Sequence, residues 1–434
     1  MFENLIYLTT IIITISIPLW YIIRNSRQED KSRQELADAL QKGLTEPASL
    51  HPKIDPSRCI GSGACVKVCP EGDILGLISG VGKLVTPTKC IGHGACQQAC
   101  PVDAIDLVFG TEKRGIEIPF VKETFETNID GLFIAGELGG MGLIRNAITQ
   151  GTEAIDYISQ TLQKTDSKIF DVAIIGAGPA GIAATLQAKK LKLNYLCIEQ
   201  DDVGGAILSY PRQKLVMTQP MVIPFHGKFD QKEIRKEQLI ALWQHIIRKS
   251  GISIHTFEKL EQLEQQKDHF QIKTSKGEYQ TRRVLLAIGR RGTPRKLNVP
   301  GERSQKVAYK LIDPEQYRNK AILVVGGGDS AVETAISLAE QPGTEVTISY
   351  RRNTFSRIKA DNRRRIEHAE RDGRVTFCFN STVSEIHPSN VNLTRDGKGI
   401  QLMNDYVFIC AGGELPTALL QKVGIKIEKK FGEK

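Results

Sequence analysis

Two stretches of the chain carry the same cysteine pattern, and no other feature restricts its fold as tightly. Residues 59–70 read CIGSGACVKVCP and residues 90–101 read CIGHGACQQACP. At an offset of 31, Cys59 recurs as Cys90, Cys65 as Cys96 and Cys69 as Cys100, with Ile60/Ile91, Gly61/Gly92, Gly63/Gly94, Ala64/Ala95 and Pro70/Pro101 repeating beside them. The chain has 9 cysteines in 434 residues. An odd total with most members in one patterned array argues against a disulfide framework and for metal ligation in a reducing compartment. Cys197, Cys378 and Cys410 lie apart in apolar segments and read as core residues, not nucleophiles.

The spacing resembles that of the bacterial two-cluster ferredoxins, whose run is C-x2-C-x2-C-x3-C-P. The resemblance implies a small α+β domain with two iron–sulfur clusters. Each cluster draws three ligands from one run and the cysteine before proline from the other. Carried over, one cluster takes Cys59, Cys65 and Cys100, and the other takes Cys90, Cys96 and Cys69. The glycines allow a tight wrap that aims backbone N–H groups at the sulfurs. The second cysteine of each run is replaced, by Ser62 and by His93. A neutral His93 imidazole is a candidate iron ligand and would raise the potential of its cluster. The Ser62 hydroxyl is hard to deprotonate, which leaves a 3Fe-4S cluster or a 4Fe-4S cluster with an open corner on that side. Zinc competes, because three cysteines and a histidine suit a tetrahedral site; the Cys-Pro endings and the duplication favour iron–sulfur.

Residues 170–181, FDVAIIGAGPAG, read as a buried strand running into Gly176, Gly178 and Gly181, with Pro179 and Ala180 between them. A helical stretch and a second strand ending at Glu199 follow, the order required of a dinucleotide-binding unit. The first glycine permits the turn, the second the approach of pyrophosphate, and the third the packing of helix on strand. Phosphate would then sit at the helix N-terminus, with Glu199 on the ribose hydroxyls. Gly204 joins this proposed FAD set. The unit recurs at residues 321–331, AILVVGGGDSA, with Gly326, Gly328 and Ala331 in the three places and Asp329 and Ser330 between. Its second strand ends in Arg351 and Arg352, which suit a 2′-phosphate, so NADPH is favoured over NADH, with Arg357 assisting. Arg363 to Arg365 read as a solvated helix face.

Two such units, joined by VLLAIGRRGTP (284–294) and VFICAGGELPT (407–417), resemble the thioredoxin-reductase-like flavoproteins, in which the nicotinamide domain is inserted into the FAD domain. In that family a C-terminal T-N-x-x-G-L-F-x-A-G-D stretch and a closing helix complete the FAD domain. The matching text here is TFETNIDGLFIAGELGGMG at residues 124–142, ahead of the first glycine loop, with Gly136 and Glu137 in the Gly-Asp places. The expected arrangement is a circular permutation, with Lys434 near residues 110–118 and residues 134–137 against the FAD loop. The family's C-x-x-C is missing from VAYKLIDPEQYRNK, before the second glycine loop, so dithiol reduction there is not expected. The resemblance points instead to relatives such as ferredoxin–NADP reductases.

Leu5 to Ile23 is an uncharged run of 19 residues, with Arg24, Arg27, Lys31 and Arg33 beyond it. It is long enough to cross a bilayer, and the positive-inside rule then places the N-terminus outside and the body in the cytoplasm at a bacterial-type inner membrane. Residues 29–43 read as a solvated spacer helix. The net charge of +9 suits anionic cofactors and membranes, and no nucleic-acid-reading motif is present.

The expected fold is α/β. It comprises an anchor (1–28), a spacer (29–50), a ferredoxin-like domain (51–112), a permuted piece of the FAD domain (113–165), the main FAD domain (166–292), the NAD(P)H domain (293–414) and a return to the FAD domain (415–434). The expected function is electron transfer among NADPH, FAD, the two clusters and a protein, thiol or quinone partner, in either direction. A low-molecular-weight disulfide or thiol reductase and a non-catalytic membrane redox sensor or electron-carrying adaptor are the alternatives. The oligomeric state is left open, a homodimer included.

Overall fold

The computed structural model describes residues 2–41, 43–47, 50–112, 114–140, 142–162, 169–210, 212, 214–217, 220–231, 233–290, 294–356, 358–413 and 416–433, with the side chains at 2–6, 8–11, 215, 217 and 360 outside the described residues. The chain forms two compact units, one made of Met1–Arg114 with Phe431–Lys434 and the other of Gly115–Lys430.

The sequence repeat becomes a structural repeat in the smaller unit. Each cysteine run turns through a left-handed glycine, Gly63 (φ 68°) or Gly94 (φ 79°), into a short helix, Ala64–Val68 or Ala95–Gln98. Glycine is required at Gly61 and Gly92 as well, where an added Cβ would fall 2.3 Å from the Gly80 carbonyl oxygen and 2.7 Å from that of Leu50. Strand His51–Ile54 pairs antiparallel with Ile105–Val108, and Leu75–Ile78 with Val81–Leu84. The core between them consists of Cys65, Ile74, Leu75, Cys90, Cys96 and Ile105. The C-terminal residues close the unit: the Phe109 N–H donates to the Glu433 carbonyl, and the Gly432 N–H to that of Phe109. Lys434, expected near this segment, lies outside the described residues.

Helix Phe2–Gln41 spans the expected anchor and spacer without a break, through Pro18. Among the described residues, no helix is long and apolar enough to cross a membrane, and part of the run at 5–23 falls on side chains outside that description. The solvated spacer is corrected, because the C-terminal half of this helix packs on the cluster hairpin. Glu29 Oε1 accepts from the Ser79 N–H at 2.9 Å, Arg33 Nη2 donates to Ser79 Oγ at 2.8 Å, and Lys31 Nζ lies 2.6 Å from Asp73 Oδ2. The i, i+4 charges of Glu29 and Arg33 look like a solvated face in sequence because their partners lie some fifty residues away.

In the larger unit strand Phe170–Ile175, with its apolar run Val172–Ile175 buried, lies in a sheet between Tyr195–Ile198 and Glu278–Leu286, parallel to both. Strands buried on both faces need such unbroken apolar runs. Antiparallel strands Leu260–Gln265 and Phe270–Thr274 extend the sheet. Strand Leu132–Ile134 pairs in parallel with the C-terminal half of Glu278–Leu286, placing Leu132 against Val284 and Ile134 against Leu286. Helix Ile144–Thr161 then packs on helix Pro179–Lys190 so closely that a Cβ on Gly151 would lie 2.2 Å from the Ala180 carbonyl oxygen. Residues 132–161 are therefore an integral layer of the FAD-type domain. After helix Thr417–Val423, strand Ile427–Lys430 pairs antiparallel with Ile116–Pro119, and Leu420 and Ile425 enter the core of that domain.

The second nucleotide domain is a parallel sheet in the order Val307–Ala308, Tyr406–Ile409, Ala321–Val325, Glu345–Tyr350, Val375–Phe379, with a three-stranded antiparallel flap of Ser381–Ile386, Asn390–Arg395 and Lys398–Met403. Helices Asp329–Ala339 and Ala360–Arg371 pack together beside the sheet, where Val332, Ile336 and Ile366 are buried.

Ile155 is fully buried between helix and sheet. Ile155→Ala should cost about 2–5 kcal/mol by loss of packing and creation of a cavity, read by chemical denaturation, with FAD release shifting to the same lower denaturant concentration. Unchanged flavin retention in an otherwise destabilised protein would show that residues 144–161 are not part of the flavin domain's cooperative unit.

Candidate functional site

The six clustered cysteines line two hollows. One is walled by Cys59, Ser62, Cys65, Cys100 and Val102, the other by Cys69, Cys90, His93 and Cys96, with volumes of about 310 and 330 Å³ counting the solvent at their mouths. This is the crossed arrangement expected from the repeat, each hollow taking its last cysteine from the other run. Backbone amides already point at sulfur: the Gly82 N–H donates to Cys59 Sγ at 3.4 Å and the Ala104 N–H to Cys100 Sγ at 3.2 Å. A Cβ on Gly82 would stand 3.6 Å from Cys65 Sγ and 4.0 Å from Cys59 Sγ, filling the space between them. Among the described residues no group of three or more His, Cys, Asp or Glu is placed to hold a single metal ion; the sulfurs stand around the walls of each hollow.

Burial, reinforced by the neighbouring sulfurs, pushes the Cys90 and Cys96 thiols up to about 11 and raises that of Cys65, while burial with the Glu71 charge raises that of Cys69. Ligating sulfur is thiolate, so these groups need a cationic core to hold them ionised. Sulfur-lined hollows, amides aimed at sulfur and glycine clearance together fit iron–sulfur clusters. Ser62 is exposed, and its Oγ accepts from the Ala64 N–H at 3.4 Å. His93 is 6% exposed, with Nε2 3.4 Å from Glu71 Oε1.

At the first nucleotide loop Gly176 has φ 108°, and an added Cβ would lie 2.6 Å from the Ala287 carbonyl oxygen. A Cβ on Gly181 would collide with the Gly176 carbonyl oxygen, while at Gly178 it would meet only Gly205 Cα, at 3.9 Å. The cradle is tight where helix meets strand and open where pyrophosphate would approach, which fits FAD. Pro179 opens helix Pro179–Lys190, a position where its missing N–H costs nothing. Glu199 is buried; Oε2 accepts from the Ala177 N–H at 2.6 Å and Oε1 from the Asp201 N–H at 3.0 Å. A carboxylate has about four acceptor sites, so the remaining lone pairs can take ribose hydroxyls while the acid also braces the loop. The Gly204 N–H donates to the Ala177 carbonyl from the same loop. Gly136 (φ 85°) sits against Ala180, to whose Cβ an added Cβ would approach within 3.0 Å, and its N–H donates to Gln150 Oε1. Glu137 follows in a 3-10 turn.

At the second loop Gly326 (φ 148°) would clash through a Cβ with the Cys410 carbonyl oxygen at 2.4 Å, whereas a Cβ on Gly328 would meet nothing within 4 Å. Ala331 is fully buried and Ser330 is exposed. Asp329 Oδ1 accepts from the Lys359 N–H at 2.8 Å and from Asn362 Nδ2 at 2.7 Å, so it orders the facing loop. Arg351 and Arg352 are exposed just past strand Glu345–Tyr350. Arg357 lies outside the described residues. The solvated reading of the later arginines holds for Arg364 and Arg365 and is corrected for Arg363, whose guanidinium donates to the Phe355 carbonyl at 2.8 Å and to Thr354 Oγ1 at 3.3 Å. It clamps the loop that follows Arg352.

Other residues here carry no local sequence signature. Lys214 Nζ reaches Glu333 Oε2 at 2.6 Å, joining the two nucleotide domains. Burial and its lysine and asparagine neighbours act in opposite senses on Glu333, and the neighbours win, holding its carboxyl below the usual range. Arg290 donates to the Glu117 carbonyl at 3.1 Å, on the strand that also receives the C-terminal segment.

Removing the Glu199 carboxylate leaves two loop amides without their acceptor as well as losing the ribose contact. Glu199→Ala should weaken FAD binding by about tenfold or more, measured by flavin released on ultrafiltration. Undiminished retention would mean that the acid neither shapes the loop nor touches the ribose.

The sequence model of the pyridine nucleotide-disulphide oxidoreductase family matches residues 173–433, more than half of the chain, and that of the 4Fe-4S dicluster domain matches residues 51–101. Bacilliredoxin reductase Bdr of Bacillus subtilis is 29% identical over 266 residues, covering 60% of this chain and 82% of the relative. A ferredoxin–NADP reductase of Ignicoccus hospitalis is 32% identical over 234 residues, covering 54% and 70%. Among solved structures, the bacillithiol disulfide reductase Bdr (YpdA) of Bacillus cereus matches with a TM-score of 0.54 at 27% identity, covering 60% of this chain and 82% of that one. With its two glycine loops, its parallel sheets and its cysteine-lined hollows, the chain belongs to the pyridine nucleotide-disulphide oxidoreductase family, as an FAD-dependent NAD(P)H oxidoreductase that carries a 4Fe-4S dicluster domain.

Proposed function

We propose that this protein exchanges electrons between NADPH, FAD and two iron–sulfur clusters and passes them to, or takes them from, an external redox partner. The observation that carries the proposal is the presence, in one chain, of two sulfur-lined hollows and two dinucleotide cradles. Bound FAD supplies the conversion between a two-electron hydride and one-electron steps. The chain's part is to hold the pyrophosphates at Gly178 and Gly328, to brace the flavin loop through Glu199, Gly136 and Glu137, and to offer Arg351 and Arg352 to a 2′-phosphate.

A thiol or low-molecular-weight disulfide reductase is the second reading, favoured by the two bacillithiol-system relatives. Against a dithiol route, residues 307–320 contain no cysteine. Cys197 and Cys378 are buried, and burial pushes the Cys410 thiol up to about 11.

The position of strand Leu132–Ile134 and helix Ile144–Thr161 ahead of the first glycine loop supports a circular permutation of the flavoprotein body, with the ferredoxin module joined at the new opening. Permutation is tolerated where old termini lie close together. Membrane attachment through residues 5–23 is part of the same proposal, supported by the uncharged run and by the exposure of Ile12, Ile13, Ile15, Ile17, Leu19 and Trp20; attachment would be at the inner membrane with the body in the cytoplasm. Deleting residues 1–28 should move the protein from the membrane pellet to the supernatant, and equal sedimentation of both forms would remove the anchor.

Rapid anaerobic mixing with NADPH should bleach the flavin first and the broad visible cluster absorbance second. A Cys59→Ala/Cys90→Ala double variant should keep the first phase and lose the second. Low-molecular-weight disulfide turnover at full rate in that variant would favour the second reading, and no bleaching in the wild type would leave only a sensor or adaptor. Arg351→Ala/Arg352→Ala should raise the KM for NADPH about tenfold while leaving that for NADH unchanged; equal effects on both would take the arginines away from the 2′-phosphate.

A further inference from the structure

The duplication supplies an internal control at the two places where a ligand cysteine is missing. At the offset of 31, Ser62 corresponds to His93 and Glu71 to Val102. Ser62 with Val102, and His93 with Glu71, each draw one member from each half of the repeat. In the first hollow, Ser62 and Val102 line the wall. In the second, His93 lines the wall, with Nε2 3.4 Å from the Glu71 carboxylate. The two substitutions match in chemistry as well as in place. The site with an imidazole has a carboxylate beside it, and the site with a hydroxyl has an isopropyl group.

We propose that His93 is the fourth protein ligand of the second cluster and that Glu71 is its positioning residue, so that the two clusters are chemically unequal. This rests on the iron–sulfur reading of the hollows. His93 is almost wholly buried on the wall where Cys69, Cys90 and Cys96 present their sulfurs. The Glu71 carboxylate, 3.4 Å from Nε2, is placed to orient the ring and to raise the basicity of an imidazole that binds iron. The first site has no such device. Ser62 is exposed, its Oγ is engaged with the Ala64 N–H, and Val102 offers no acceptor for the hydroxyl proton. That corner is left to solvent or lacks its iron.

The test is pulsed electron paramagnetic resonance on the full chain, reduced with dithionite, with natural-abundance and ¹⁵N-labelled histidine. A histidine nitrogen coupled to a reduced cluster, altered by the label and surviving Ser62→Cys, is the expected result. His93→Cys should keep the second cluster, abolish the coupling and lower that cluster's midpoint potential. Glu71→Gln should keep the coupling and raise the potential, with Glu71→Asp restoring it towards the wild-type value. Reduced clusters without histidine coupling would overturn the assignment while leaving the iron–sulfur reading intact. A potential unmoved by Glu71→Gln would remove Glu71 from the role. A purified chain holding zinc and no iron or sulfide would overturn both the assignment and the reading beneath it.

Discussion

Five of the six clustered sulfurs lie in or against the small core of the cluster unit, three of them buried, and there they stand in for the aliphatic side chains that ordinarily fill such a space. Bare, the buried three are costly neighbours: burial opposes the ionisation of Cys65, Cys90 and Cys96, and the charge of nearby sulfurs adds to it. A cationic iron core would remove that conflict by holding thiolates from both runs, and would thereby tie the two halves of the repeat together. On the iron–sulfur reading, the closure of this unit and the proposed electron-transfer role rest on this one compensation. The glycines at 61, 63, 92 and 94 give the backbone the turns that bring sulfur to each hollow.

The flavin domain rests on a different constraint. Its glycine loop is held from two directions, by Glu199 accepting loop amides and by the residues around Gly136 and Gly151 that lie on Ala180. A segment preceding the loop in sequence thus does the work of closing the domain. The register of Leu132–Ile134 beside Glu278–Leu286 allows this, because parallel pairing requires only that the strand run in the same direction, whatever its place in the chain.

Much of this was legible in the sequence wherever backbone geometry demands one residue type at fixed spacing. Gly176, Gly178 and Gly181 announce a loop because no side chain fits at the first and third places. The crossed lining of the two hollows is the arrangement that the resemblance of the repeat to two-cluster ferredoxins implies. What stayed hidden depends on long-range pairing. Glu71 and His93 meet although 22 positions separate them and no pattern links them. Arg363 looks like its solvated neighbours Arg364 and Arg365 until the Phe355 loop folds under it. Glu29 and Arg33 form an i, i+4 pair on an exposed helix face, and only the hairpin shows that both also bond Ser79.

The central claim is that reducing equivalents entering at the nicotinamide site reach the cysteine-bound centres of the same polypeptide. Counting electrons tests it most directly, by anaerobic titration of the full chain with NADPH while flavin absorbance and cluster paramagnetism are followed together. The account predicts uptake beyond one equivalent of NADPH per flavin, with the excess appearing as a paramagnetic reduced cluster. Uptake that stops at one equivalent, leaving clusters that dithionite can reduce but NADPH cannot, would contradict it.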